Sequence, residues 1–345
     1  MTSLQNAIVL IVIVCVFVGL IAVRNLPRLR QSEVTATTTP AVAEASTTPA
    51  VPNTGSDIAT STTATQNFSP TKVATKKVED TSKAFVNQSA PSILSTPSSP
   101  AEFFYVFNVP ETFEESDSLV DSPSKYWWLD SGAKLISTGE YGETIQGALP
   151  SNDPWRIKYA DSNPVDTDKG EHPQNLFRLV TKSNWNDVRE EVFFRIMADD
   201  LSASPNRNES NGILLMSHYQ DHGGTLYYAG LRVDGTAVIK KKYNGIYYTM
   251  AHTPILPGSY SHDSHPNLLP HQQWIGLRTE TVTSNDGSVT IRLYMGAAAG
   301  DWILVLSAVD NGVQYANTPA IPPGLIGIRT DFMDVQFQNF HAETI

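Results

Sequence analysis

Cysteine is almost absent from this chain of 345 residues, which contains only Cys15. A single cysteine excludes a disulfide framework and a cysteine-based zinc site, and the position of Cys15 in an apolar run excludes a cysteine nucleophile elsewhere. Basic residues are also few, because 24 Lys and Arg stand against 35 Asp and Glu, for a formal net charge of −11. We therefore expect no nucleic-acid partner, since phosphate binding needs a basic surface.

Charged and strongly polar side chains are missing from the run between Ala7 and Val23. At ~1.5 Å per residue, a helix over this run is about 26 Å long, close to the thickness of a bilayer's hydrocarbon core. We predict a transmembrane helix over 7–23, within an N-terminal membrane anchor of residues 1–30. Residues 1–6 carry no Lys or Arg, and residues 20–22 form a poor cleavage site, so we expect a retained signal anchor.

Large apolar residues are scarce in residues 31–100, where Thr, Ser, Ala and Pro dominate. This composition does not offset the entropy lost on ordering, so we predict a disordered stalk. Stalks of this kind hold a module away from a cell surface, which favours a single-pass protein with an extracellular C-terminal domain. Arg24, Arg28 and Arg30 favour the opposite orientation, because positive charge beside a membrane helix is typical of the cytoplasmic side.

Helical periodicity is missing from residues 101–345, where apolar residues alternate with a period of two. Runs such as Val192–Ile196 and Val289–Tyr294 have the aromatic and β-branched content of strands. Asp234-Gly235 and Asn244-Gly245 separate three consecutive runs, and both dipeptides are strong hairpin signals. We predict an all-β domain over 101–345, a two-sheet antiparallel jelly-roll sandwich.

The last predicted strands carry a resemblance to a known family. Gly324–Thr330 and Val335–His341 resemble the closing "G-x-x-G-x-R" and "V-x-F-x-N-F" strands of concanavalin A-like lectin and glucanase domains, among them laminin-G-like and 3-keto-disaccharide hydrolase-like modules. Trp274–Arg278 is similar to their "W-x-x-L-R" strand. The resemblance covers about Asn211 to the C-terminus and implies a concanavalin A-like sandwich whose last strand returns beside the first. It indicates architecture rather than function.

Aromatic residues are the candidate ligand contacts. Neighbouring rings such as Tyr227-Tyr228 and Tyr247-Tyr248 have opposite strand parity, so one ring of each pair should face the core and the other the solvent. Outward rings can stack on sugars, and the candidate carbohydrate contacts are Trp185, Tyr228 and Tyr247. Core packing is the alternative for each ring.

A segment rich in oxygen-bearing side chains follows residue 160. Carboxylate and amide oxygens close together, with a glycine that turns the chain, suit a hard cation. We predict a structural Ca²⁺ site formed by Asp161, Asn163, Asp166, Asp168 and Glu171. The histidine-rich segments 218–222 and 262–271 are a weaker indication of a transition-metal site.

Alternating catalytic carboxylates are not evident in the sequence. Glycosidases on such sandwiches use two carboxylates on one strand, whereas Glu190-Glu191 and Asp199-Asp200 are adjacent pairs, which we interpret as solvated strand ends. The sequence therefore predicts a membrane-tethered, lectin-like module that binds a polysaccharide or glycoconjugate without catalysis. A polysaccharide hydrolase or lyase on the same fold, or a protein-binding adhesion module, is the alternative.

Overall fold

The computed structural model describes residues 100–163, 168–296 and 302–345. Within these ranges the chain forms sixteen strands and one α-helix, α1, at Pro154–Ser162. The strands are β1 (Glu102–Tyr105), β2 (Glu111–Glu114), β3 (Trp127–Ser131), β4 (Lys134–Ser137), β5 (Gly142–Thr144), β6 (Phe177–Thr181), β7 (Val188–Asp199), β8 (Gly212–Gln220), β9 (Thr225–Arg232), β10 (Thr236–Tyr243), β11 (Ile246–Pro254), β12 (Trp274–Thr283), β13 (Val289–Gly296), β14 (Trp302–Asp310), β15 (Leu325–Thr330) and β16 (Met333–Thr344). Short 3₁₀ helices span Pro173–Leu176 and Asp221–Gly223.

The predicted anchor and the predicted stalk, apart from Pro100, lie outside the described residues. In the part of the chain that is described, no helix is both long and apolar enough to cross a membrane. The transmembrane helix over 7–23, the stalk over 31–100 and the domain boundary at residue 101 therefore stay predictions.

The strands form two antiparallel sheets. The nine-stranded sheet has the order β14-β13-β12-β7-β16-β5-β4-β2, and β1 also pairs with β16. The seven-stranded sheet has the order β11-β10-β9-β8-β15-β6-β3. These sheets confirm the predicted two-sheet antiparallel sandwich. The expected return of the last strand is confirmed as well, since Glu102 of β1 lies opposite Glu343 of β16.

The β9–β10–β11 meander confirms the hairpin prediction. Asn244 and Gly245 have φ angles of 47° and 82°, the positive values that a type I′ turn needs at both central residues. Gly235 provides a φ of 76° in the preceding turn. The second turn places Lys242 of β10 opposite Tyr247 of β11, a pairing that matters for the site described below.

Helix α1 is not predicted by the periodicity. The signals for its start are local, since Asp153 is the N-cap and its Oδ1 accepts a hydrogen bond from the Trp155 N–H at 2.8 Å. Pro154 occupies the first turn, where its missing N–H costs nothing. Only Tyr159 of this nine-residue helix is buried, so it lacks the apolar stripe that a period of 3.6 would reveal.

The interior between the sheets is one apolar cluster. Its largest fully buried members include Trp127, Trp185, Phe194, Tyr227 and Phe337. Trp128 follows Trp127 in the sequence, and Tyr228 follows Tyr227. Because successive side chains of a strand alternate, Trp128 and Tyr228 lie on the other face of the seven-stranded sheet, where a second cluster forms. The predicted division of an adjacent aromatic pair between the two faces of a strand is therefore confirmed for Tyr227 and Tyr228, with Tyr228 covered in the second cluster rather than open to solvent. It is not confirmed for Tyr247 and Tyr248, because neither ring belongs to the core cluster.

A buried ion pair ties the loop after β14 to the seven-stranded sheet. Lys241 Nζ lies 2.6 Å from Asp310 Oδ2, and both side chains are 0% exposed. The ammonium also donates to the carbonyl oxygens of Thr318 and Pro319 at 3.0 and 2.7 Å. The Tyr227 hydroxyl donates to the Asp310 carboxylate at 2.6 Å. Each charge therefore has several partners, which is the condition under which a buried pair is tolerated.

Removing one member of this pair should leave an uncompensated buried charge. We expect Lys241→Met or Asp310→Leu to lower the free energy of unfolding of the full chain by about 3–5 kcal/mol, measured by urea denaturation. The double variant should recover part of this loss, because it buries no charge. The exposed Lys134–Glu114 pair, at 3.9 Å, is the control, and Lys134→Met should cost less than about 1 kcal/mol. Equal losses for Lys241→Met and Lys134→Met would contradict the prediction.

Candidate functional site

The outer face of the seven-stranded sheet carries the candidate site. Its floor is the second apolar cluster, formed by Trp128, Val180, Leu214, Met216, Tyr219, Leu226, Tyr228, Val238 and Leu325. Charged side chains and one exposed ring lie on or beside this floor. We name this surface the basic face and define it by Tyr228, Tyr247, Arg178, Arg232, Lys240, Lys242 and Arg329.

Two of the three predicted contact rings meet on the basic face. Tyr228 of β9 and Tyr247 of β11 have ring centroids 6.2 Å apart and an interplanar angle of 74°. Tyr247 is 47% exposed, whereas Tyr228 is 5% exposed. Tyr247 is therefore the ring that a ligand can reach, and Tyr228 supports it edge to face.

The prediction for the third ring, Trp185, is wrong. This side chain is 0% exposed and belongs to the cluster between the sheets, so it is not accessible to a ligand. Trp185 lies in the segment that connects β6 to β7, and its backbone forms an isolated β-bridge with Gly324. Because Trp185 lies outside a regular strand, the parity of the neighbouring runs does not indicate which way its ring points.

Arg329 extends across the sheet to both tyrosines. Its guanidinium carbon lies 5.7 Å from the Tyr228 ring centroid, and the side chain comes close enough to the Tyr247 hydroxyl to lower the pKa of that phenol. Arg329 is on β15 and Tyr247 on β11, which are four strand spacings apart, or about 19 Å in a flat sheet. Two side chains do not bridge that distance, so the sheet curves and the basic face is its concave side.

The basic face has more positive than negative charge. Three of its arginines each bind one carboxylate: Arg178 with Asp130 at 2.8 Å, Arg232 with Asp234 at 3.0 Å, and Arg329 with Asp331 at 2.9 Å. Neither Lys240 nor Lys242 forms an ion pair with a carboxylate of the described residues. Their ammonium groups lie 5.8 and 4.8 Å from the ring centroid of Tyr247. Two positive charges on this face therefore lack an ion-pair partner among the described residues, in a chain of net charge −11.

The crowding of cations changes the acidity of the groups among them. Burial acts to raise the pKa of Tyr247, but the charges of Arg329 and Lys242 and the hydrogen bonds from both outweigh it, and the pKa is lowered. The pKa of Lys240 is lowered by burial and by repulsion from Arg232 and Arg329. The phenol is therefore more readily ionised than an ordinary tyrosine.

A second polar cluster lies beside the same hairpin. Asp130 of β3 accepts a hydrogen bond from the Tyr219 hydroxyl, and its Oδ1 lies 2.7 Å from His222 Nδ1. The His222 side chain is 60% exposed. The turn that carries it is bonded to the β10–β11 hairpin, with 2.8 Å between Gly245 N and Gly224 O. The exposed imidazole of His222 therefore lies on a turn that is bonded to the turn from which β11, with Tyr247, begins.

The sequence patterns did not predict that basic residues gather on this face. A signal was present in the run Lys240-Lys241-Lys242, because alternation along a strand places the outer two on one face and the middle one on the other. Arg329 is the arginine of the "G-x-x-G-x-R" strand, but that motif indicated architecture and gave no role in a site. Arg329 meets Tyr247 only through the order of the strands, which short-range patterns do not reveal.

The predicted calcium ligands do not form a shared ligand set among the described residues. Three of them have other partners: Asn163 with the Tyr159 carbonyl, Asp168 with the Asn175 amide, and Glu171 with Arg156. Within the described ranges, no group of three His, Cys, Asp or Glu residues is arranged to hold a metal ion. Asp166 lies outside these ranges, and the Ca²⁺ site stays a prediction that the described contacts do not support.

The interpretation of the adjacent carboxylates as solvated is wrong for two of them. Glu190 is 0% exposed, the Thr279 hydroxyl donates to it at 3.0 Å, and burial raises its pKa well above the usual range. Asp200 is 5% exposed, and burial together with the Asp334 carboxylate raises its pKa to about 7. Glu190 shares its parity on β7 with the core residues Val188 and Val192, so alternation along the strand indicates its burial. Asp200 follows the end of β7, where strand parity gives no guide.

Comparison with protein-family models gives no match, and comparison with curated proteins gives none. Among solved structures, the chain is similar to the carbohydrate-binding module CBM66 from Bacillus subtilis, with 15% identity and a TM-score of 0.40, over 63% of this chain and 95% of that one. It is similar to a β-glucanase from Bacillus licheniformis, with 10% identity and a TM-score of 0.37, over 72% of this chain and 100% of that one. It is also similar to lectin I-B4 from Griffonia simplicifolia, with 8% identity and a TM-score of 0.37, over 70% of this chain and 98% of that one. The fold itself is established by the two sheets described above.

The lowered pKa of Tyr247 leads to a direct test. We expect Lys242→Met to raise this pKa, because one of the two neighbouring charges that favour the phenolate is lost. The measurement is the ultraviolet absorbance of phenolate in the full chain against pH, with Tyr247→Phe to identify the signal. Since the pKa is lower in the folded than in the unfolded chain, ionisation of Tyr247 should add stability as pH rises above the folded-state pKa. An unchanged titration in Lys242→Met would contradict the prediction.

Proposed function

We propose that this protein is a membrane-tethered carbohydrate-binding module and that the basic face is its ligand site. The observation that carries the proposal is the exposed ring of Tyr247 on the concave side of a sheet. Its neighbours Tyr228 and Arg329 hold it in place, so little side-chain entropy is lost on binding. A fixed aromatic ring offers a flat surface to a sugar ring, and the donors around it suit hydroxyl and acidic oxygens.

The tether is proposed from the sequence of residues 1–100. The apolar run over 7–23 has the length of a membrane-spanning helix, and the tract over 31–100 has the composition of a stalk. A stalk of this length suits a module that binds a ligand at a distance from the membrane. We propose the extracellular orientation on this basis.

The orientation is tested by protease treatment of intact cells. With the module outside, protease should cut the stalk and release a fragment close to residues 101–345, because an unstructured tract is cleaved more readily than a packed sandwich. The readout is an immunoblot of medium and cells, with a cytoplasmic protein as the control for cell integrity. Release only after permeabilisation would show that the C-terminal domain is cytoplasmic, which is the orientation that Arg24, Arg28 and Arg30 favour.

Carbohydrate binding is tested with the full chain in neutral detergent on an array of neutral and acidic polysaccharides. We expect Tyr247→Ala to weaken binding at least about tenfold, or about 1.4 kcal/mol. Tyr126 is the matched control, since it is 44% exposed, close to the 47% of Tyr247, and lies outside the basic face. Tyr126→Ala should bind normally. Equal losses in the two variants, or a folded chain that binds no polysaccharide, would overturn the proposal.

A β-elimination lyase is a second candidate, favoured by the lowered pKa of Tyr247. Such a reaction needs a base for the proton beside a carboxyl group and cations that stabilise the developing charge. Hydrolysis is less favoured, because Asp130 and Asp331 are both held by arginines. The lyase is established if the chain releases products with unsaturated sugar ends and the Tyr247→Phe variant releases none. Binding without any product supports the non-catalytic module.

A further inference from the structure

The charge pattern of the basic face differs from what a neutral sugar requires. Neutral sugars are bound largely through hydroxyl groups, which donate hydrogen bonds to carboxylate and amide oxygens. Here Asp130, Asp234 and Asp331 each bind an arginine, so their charge is neutralised and part of their acceptor capacity is in use. What remains is an excess of donors that carry positive charge, namely Lys240 and Lys242.

We infer that the glycan bound by the basic face is anionic, a polysaccharide with carboxylate or sulfate groups, and that Lys242 and Lys240 form its anion-binding subsite. The inference rests on the proposed function, because it names the class of ligand for the same face. It goes further because it assigns the recognition of the ligand's negative charge to Lys240 and Lys242, whereas the proposed function depends on the exposed ring of Tyr247.

The register of the strands places this subsite beside the exposed ring. Lys242 lies directly opposite Tyr247 across the β10–β11 hairpin, and Lys240 lies opposite Tyr228 of β9. The two lysines are two residues apart on one strand, so they share a face at a spacing of about 7 Å. An acidic group bound at Lys242 therefore brings its own sugar ring to Tyr247. Stacking and charge recognition act on the same sugar unit.

The surroundings of Lys240 favour an incoming anion. Arg232 and Arg329 lie close enough to repel its ammonium group, and the side chain is only 9% exposed. An anion between these cations relieves the repulsion, whereas a neutral sugar leaves it unchanged. The concave surface strengthens this effect, because a cleft lined by charge of one sign concentrates the field. The acidic balance of the whole chain disfavours anion binding elsewhere.

The test compares polysaccharides that share a backbone and differ in charge. The full chain in neutral detergent is titrated with polygalacturonate, alginate and dextran sulfate, and with their uncharged counterparts, methyl-esterified polygalacturonate, propylene-glycol alginate and dextran. We expect at least one acidic polymer to bind about tenfold or more tightly than its counterpart. The affinity should fall as the NaCl concentration rises, because exposed ion pairs are screened. The carboxylated and sulfated members distinguish the two kinds of anion.

Variants assign the effect to the subsite. Lys242→Met and Lys240→Met should remove most of the preference for the charged polymer, while Lys134→Met, on β4 of the other sheet, should not change it. Circular dichroism confirms that each variant is folded. If charged and uncharged polymers bind equally and Tyr247→Ala abolishes both, the proposed function stands and the charge inference is overturned. If no polymer binds, both fail, and Lys242-dependent binding to phosphatidylserine vesicles alone would replace the glycan with an anionic lipid surface.

Discussion

The seven-stranded sheet is apolar on both faces, and the rest of the structure depends on this constraint. One face closes the core of the sandwich, and the other carries the second apolar cluster beneath the basic face. Because successive side chains alternate, the residues that fill the core also determine which residues face outward. Tyr227 donates to the buried carboxylate of Asp310, while its neighbour Tyr228 supports Tyr247 on the opposite side. The core and the candidate site are therefore two faces of the same strands.

Arginine and lysine have different tasks on this face. Each arginine is held by a carboxylate, so its guanidinium is a fixed part of the framework, and Arg329 shows this by orienting both tyrosines. The lysines have no such partner, and their compact charges stay available to a ligand. The same surface thus combines arginines that are held by carboxylates with lysines that form no ion pair among the described residues.

Local patterns predicted the sandwich and part of the site. Asp234-Gly235 and Asn244-Gly245 specified the meander, and Tyr227 and Tyr228 were divided correctly between the two faces of their strand, since both signals act over a few residues. The contact of Arg329 with Tyr247 could not be predicted, because it depends on the order of strands across the sheet and on its curvature. Trp185 and Asp200 were misjudged for a related reason, because their burial is decided by what packs over a loop or beyond a strand end. Glu190 was misjudged although its parity with Val188 and Val192 on β7 indicates the core face.

The three consecutive lysines of β10 place a limit on how this strand can vary in length. Lys241 neutralises Asp310 in the interior, while its neighbours carry charge to the concave surface. A deletion or insertion of one residue before this run would exchange the two faces. Lys240 and Lys242 would then point into the core, and Lys241 would point outward, away from Asp310. A change of two residues would preserve the parity. In this part of the chain an even change in length therefore keeps the buried pair and the surface lysines in place, whereas an odd change keeps them only where a bulge absorbs it, as the register shift between Ile239 and Lys240 does in the pairing with β11.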